Sequence, residues 1–212
     1  MKLIVLILSM TSVISSIAGD KYTKNMEANL EELYAANSIE ALQNVANKFD
    51  RIASIEKDEW LPGYYGSLAY VWIATREEDP TQKDKWLDQA QAMLDESKVI
   101  KGSDTEIVAL QGFIYMMKLT VDPATRGQVF SQKAFAEFSK AVQMNDQNPR
   151  ALFFKGQMEF GTAKFFKADT SPACDTMAKS LELFDNFTPE SALHPNWGAG
   201  FAKRTVEACK AE

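Results

Sequence analysis

Ile107-Val108-Ala109-Leu110-Gln111-Gly112-Phe113-Ile114-Tyr115-Met116-Met117 decides the fold. The stretch is apolar on nearly every side, with no alternation of polar residues and a glycine at its centre. A helix of this kind lies inside a stack and is touched from several directions. It opens just after Ser103-Asp104-Thr105-Glu106, which reads as a capping box with Glu106 reaching back to Ser103. Downstream, Phe130, Ala134, Phe138, Ala141 and Val142 form a single apolar stripe at helical spacing, the mark of a helix with one buried side. A buried helix followed by an amphipathic one is a hairpin with an inner and an outer member.

Working outward, the same pair returns. Gly66, Gly112 and Gly156 are 46 and 44 residues apart, and Ala46, Ala90, Ala134 and Ala178 are each 44 apart. Phe49, Leu94 and Phe138 keep the same beat. Small residues let helix backbones approach, while the large residue fills the space alongside. Two helices per period of 34 to 47 residues is the signature of a helical solenoid. Asp79-Pro80, Asp122-Pro123, Asn148-Pro149 and Ser171-Pro172 each set a capping side chain before a proline, which suits the first helical position. Asp58 is the expected cap of a helix holding Pro62, and Gly102 after Lys98 and Lys101 is the expected stop of another. The marks predict helices over 21–36, 38–57, 59–77, 80–100, 104–120, 124–146, 149–168, 172–186 and 196–211, with no strand.

Gly112 with Tyr115, then Ala134, Phe138 and Ala141, resembles the tetratricopeptide (TPR) pattern, and Ala90, Leu94 and Ser97 repeat its second half. The unit is about ten residues longer than the usual 34. The expected fold is therefore all-α: a TPR-like α-solenoid of about four helix-turn-helix units plus a C-terminal capping helix. Asp58-Glu59-Trp60-Leu61-Pro62-Gly63-Tyr64-Tyr65, Asn148-Pro149-Arg150-Ala151-Leu152 and Leu193-His194-Pro195-Asn196-Trp197-Gly198 also resemble exported TPR-like proteins of Bacteroidetes type. That resemblance implies a fold and a periplasmic address rather than an activity.

Residues 1–18 read as a signal peptide: Lys2, the apolar run from Leu3, then Ser16-Ile17-Ala18 as the cleavage site. Residues 19–212 then form one TPR-like repeat domain, periplasmic or secreted, with no stable membrane insertion after processing. Cleavage removes one charge and leaves a net charge of −7 against −6 for the whole chain of 212 residues. The acidic balance disfavours nucleic acid, which requires a basic stripe. In an oxidising compartment Cys174 and Cys209, the two cysteines, are expected to bridge; two buried thiols are the alternative.

Catalytic and cofactor signals are absent from the pattern. His194 is the one imidazole, without a nucleophile or acidic orienter at telling spacing. The acidic clusters at Glu31-Glu32, Glu56 to Glu59 and Glu77-Glu78-Asp79 read as solvated helix ends. No P-loop or dinucleotide fingerprint occurs. The reading is a non-enzymatic scaffold without metal or cofactor, holding a peptide or envelope protein in a concave groove lined by the first helices. The TPR resemblance places Trp60, Ser67, Tyr70, Phe113, Met116, Met117, Arg150, Phe153, Gln157 and Phe160 on that face, with Arg150 expected to be exposed; for the aromatic and Met positions a place in the core is the alternative, since such stripes in a solenoid are more often core. The alternative is a small-ligand receptor with Trp60, Tyr64, Tyr65 and Trp72 as a carbohydrate or lipid platform.

Overall fold

The computed structural model describes residues 8–210, with side chains from Gly19 to Cys209. Nine helices follow in order among the described residues: α1 (Leu8–Ala35), α2 (Ile39–Ile55), α3 (Leu61–Arg76), α4 (Pro80–Lys101), α5 (Thr105–Val121), α6 (Pro123–Met144), α7 (Pro149–Phe166), α8 (Ser171–Asp185) and α9 (Ala199–Lys210). No strand occurs among them. The architecture is the expected all-α, TPR-like one. α1 begins earlier than predicted and runs through Ala18, because nothing in 8–20 breaks a helix except the single Gly19. The first part of the predicted signal peptide, residues 1–7, lies outside the described residues. No described helix is long and apolar enough to cross a membrane.

Most starts follow the sequence marks. The side chains of Ser38, Asp79, Asp122 and Asn148 accept from the backbone N–H of Ala41, Gln82, Thr125 and Ala151, and a proline follows the last three. Gly102 stops α4 at φ 71°, in the left-handed region that suits glycine. Three expectations need correction. Asp58 caps nothing, since Trp60 holds the N-cap position of α3 without a side-chain bond. Ser171 is already inside α8 and Thr170 precedes it. Asp104, not Ser103, caps α5 by accepting from Glu106 N–H, which frees the Glu106 side chain to turn inward.

The helices pair as α1/α2, α3/α4, α5/α6 and α7/α8, with α9 closing the end against α8. The first helices also pack in a row, α3 on α5 and α5 on α7. The glycine period has its expected cause. A Cβ on Gly112 would sit 2.5 Å from the Phe138 ring, and one on Gly156 would sit 2.6 Å from Met177 Cγ. Each glycine thus marks the crossing of a first helix on its own partner. Ala46, Ala90 and Ala134 are fully buried in the second helices, while Ala178 is only partly covered. Cys174 and Cys209 form a disulfide that staples α8 to α9, with Cα atoms 5.8 Å apart. In the chain-entropy picture a loop with a separation of 35 residues is stabilised by about 3–4 kcal/mol.

Candidate functional site

The face made by the first helices is occupied by the chain itself. The connection from Phe187 to Gly198 runs back across α3, α5 and α7. Tyr65 Oη donates to the Leu193 carbonyl at 2.8 Å, and Trp197 Nε1 donates to Tyr64 Oη at 2.9 Å. The Trp197 ring lies against Trp72, Phe113 and Phe154, with centroids 6.0–6.3 Å apart. Such contacts join large apolar area to a satisfied indole N–H.

Beneath this segment sits a buried ion pair. Arg150 Nε and Nη2 donate to the two Glu106 oxygens at 2.6 and 2.7 Å, and Nη1 donates to the Trp197 carbonyl at 3.1 Å. Asn148 Nδ2 donates to Glu106 at 2.7 Å, and the Arg150 guanidinium lies 4.5 Å from the Phe187 ring centroid. The two charged side chains are only 1% and 2% exposed. Burial disfavours the guanidinium charge, yet the adjoining carboxylate outweighs it and holds Arg150 above its ordinary range. Burial, then the Glu106 charge, pushes the Tyr64 phenol well up. The pair is tolerated because nearly every donor and acceptor in it has a partner. Its role is to lock α5, α7 and the 187–198 segment together.

This arrangement corrects the sequence reading of Arg150, which is buried rather than exposed, because Glu106 and Trp197 complete its bonding. Phe113, Phe153, Tyr70 and Met117 are likewise core residues. Phe113 stacks on Phe154, Phe153 packs on Phe201, and Tyr70 stacks on Trp86 of α4. Ser67 is fully buried. Met116 and Phe160 are half-buried against the core, and Gln157 is half-buried. Of the alternative platform, Tyr64 and Tyr65 are fully buried and Trp72 packs on Trp197. Trp60 differs, standing half-buried at the edge of an opening. Glu106 was missed as a site residue; the available signal was a carboxylate at the head of an otherwise apolar helix.

Two openings are present, one bordered by Trp60 and the other by His194. One is an apolar groove of about 220 Å³ between the end of α2, the start of α3 and the end of α4, with Ala53, Trp60, Val99 and Ile100 in its wall. The other is a polar cleft of about 390 Å³ lined by Asp104, Asn145, Gln147, Asn186, Phe187 and His194. His194 Nδ1 is 3.9 Å from Glu190, and its ring lies edge-on to Trp60. Among the described residues no group of three or more His, Cys, Asp or Glu is arranged to hold a metal.

Among solved structures the chain is similar to the HusA haemophore from Porphyromonas gingivalis, at 26% identity over 90% of this chain and 93% of that one, with a TM-score of 0.80. It is also similar to a thermophilic TPR protein of Thermus thermophilus, at 14% identity over 94% and 95% of the two chains, with a TM-score of 0.56. The second likeness concerns the fold alone. No protein-family model and no curated protein matches the chain.

Proposed function

We propose that this protein is an exported, non-enzymatic carrier of a small ligand of the haem class. One observation carries the reading: the likeness to a haemophore extends over nine-tenths of the chain, at 26% identity. The filled inner face supports it. A peptide lying along the first helices would have to displace Trp197 and Leu193, which are both buried there. The scaffold reading therefore loses the surface it needs, while two openings sized for a small molecule or part of one remain. Haem would be cargo here rather than a reaction centre. His194, the one imidazole, has a side chain only 10% exposed and is turned toward Glu190, so the fit is to the apolar faces and carboxylates of the ligand more than to its iron. Export, with residues 1–18 as signal peptide and 19–212 as the mature domain, suits the Cys174–Cys209 bond.

Absorbance titration of the purified protein with haemin tests this. A saturable spectral change at one ligand per chain is expected. Haemin that shows the same linear rise with and without protein overturns the reading.

A further inference from the structure

The groove beside Trp60 has features that folding does not explain. Val99 and Ile100 end α4 and are 87% and 40% exposed, two branched apolar residues in a turn otherwise made of lysines. They adjoin the half-buried Trp60 indole, and Ala53 closes the wall from α2. The floor is tight: a Cβ on Gly63 would lie 2.5 Å from Ser97 Oγ and 2.9 Å from the Met93 carbonyl oxygen, so α3 approaches α4 there with no room for a side chain at Gly63. The rim has charge of both signs. Lys57 lies on one edge, and Lys101 places Nζ 5.8 Å from the Trp60 ring centroid. Neither lysine joins an ion pair among the described residues, whereas Lys98 nearby is bound to Asp95 and Gln111. Glu96 and Glu59 line the groove as well, and Glu59 lies close enough to Tyr22 to help raise that phenol after burial itself.

We infer that this groove is the ligand seat, taking one apolar face or edge of a flat, carboxylate-bearing molecule against Trp60, Val99 and Ile100, with Lys57 and Lys101 receiving the carboxylates. The assignment rests on the small-ligand reading above. Its physical basis is complementarity. An aromatic wall packs well on a flat apolar ring. A lysine beside that wall, exposed and with its Nζ 5.8 Å from the Trp60 ring centroid in the case of Lys101, can meet a carboxylate on the ligand's edge through a charge-assisted hydrogen bond. The polar cleft on the far side of the Trp60–His194 contact offers neither: its charged lining residues Asp104 and Glu190 are acidic, and Glu106 is already committed to Arg150.

Haemin titrations of four proteins separate this inference from the reading it rests on: wild type, Lys57→Glu with Lys101→Glu, Val99→Asp, and His194→Ala. All the groove changes are at exposed positions, and thermal melts confirm that each protein is folded. The lysine pair change and Val99→Asp are each expected to weaken binding by about tenfold or more, the equivalent of losing one good contact. His194→Ala is expected to bind as wild type does. Wild-type binding that survives both groove changes overturns the seat and leaves the carrier reading intact, and loss of binding in His194→Ala alone moves the ligand to the polar cleft. Absence of binding by wild type overturns both.

Discussion

Two arginine–carboxylate forks join successive helix pairs, one inside the molecule and one at its surface. Arg150 of α7 grips Glu106 of α5 through two bonds of 2.6 and 2.7 Å, and Arg126 of α6 grips Asp84 of α4 through two of 2.8 Å. The geometry is alike and the surroundings are not. The inner pair is sealed at 1% and 2% exposure, while the outer side chains are 34% and 29% exposed, with Lys118 sharing Asp84. Inside, the charges have no water to fall back on, so removing one partner strands the other. Outside, solvent replaces whatever is removed. The same fork is therefore a keystone in one place and a clip in the other, and the consequence of breaking each differs several-fold.

The largest effect is expected from Arg150→Met. It leaves the Glu106 carboxylate buried with only Asn148 and Tyr64 to bond, and it releases the Trp197 carbonyl. A loss of about 3–5 kcal/mol in unfolding free energy follows from an uncompensated buried charge. Adding Glu106→Gln to the same chain removes that charge and restores much of the loss, a coupling that a double-mutant cycle in urea measures directly. Additive losses in the cycle would show that the pair is not the keystone described.

The sequence makes the outer layer more legible than the inner face. Cap–proline pairs and a stop glycine have local causes, so Asp79, Asp122, Asn148 and Gly102 announce helix ends without reference to anything distant. The role of Arg150 depends on residues 44 and 47 positions away, Glu106 and the Trp197 carbonyl, and no local rule contains that information. The general rule that arginine is seldom buried pointed the wrong way. Phe113 and Phe153 show the same limit: a solenoid register puts them on the groove face, and the groove face turns out to be filled by the returning chain. Trp60 stays half-buried, with the His194 ring of the 187–198 segment edge-on to it at 6.3 Å between centroids.

An apolar control sharpens the comparison at intermediate size. Gly112→Ala drives a methyl group into the Phe138 ring, which is fully buried and stacked on Phe154 with centroids 5.7 Å apart, so it has nowhere to swing. Overpacking costs about 1–3 kcal/mol. Removing glycine from a helix interior returns about 1 kcal/mol, leaving a net loss. Gly66→Ala meets the sulfur and terminal methyl of Met93 instead, the far end of a flexible side chain. Its net change is expected near zero or slightly stabilising. Chemical denaturation of the two variants side by side checks the sign, and equal losses at both sites would mean that the backbone approach, not the neighbour's stiffness, sets the cost.

The smallest effect belongs to the outer fork, and its pH dependence identifies it. The hydrogen bonds from Arg126 hold the Asp84 carboxyl below its ordinary value of 3.8 despite some burial, with Lys118 adding to the effect. A carboxyl whose pKa is lowered by folding contributes stability above the unfolded value, and that contribution fades as pH falls through the folded one. Because both side chains remain about one-third exposed, screening limits the whole contribution to at most about 1 kcal/mol near neutrality. Asp84→Asn is accordingly expected to lower the midpoint of urea unfolding slightly at pH 7 and to differ less and less from wild type as the pH drops below 3.8. High salt should shrink the difference as well, since the pair lies within reach of counterions. A deficit at pH 7 as large as that of Arg150→Met, or one indifferent to both salt and acid, would place Asp84 in the same class as Glu106 and erase the distinction between the two forks.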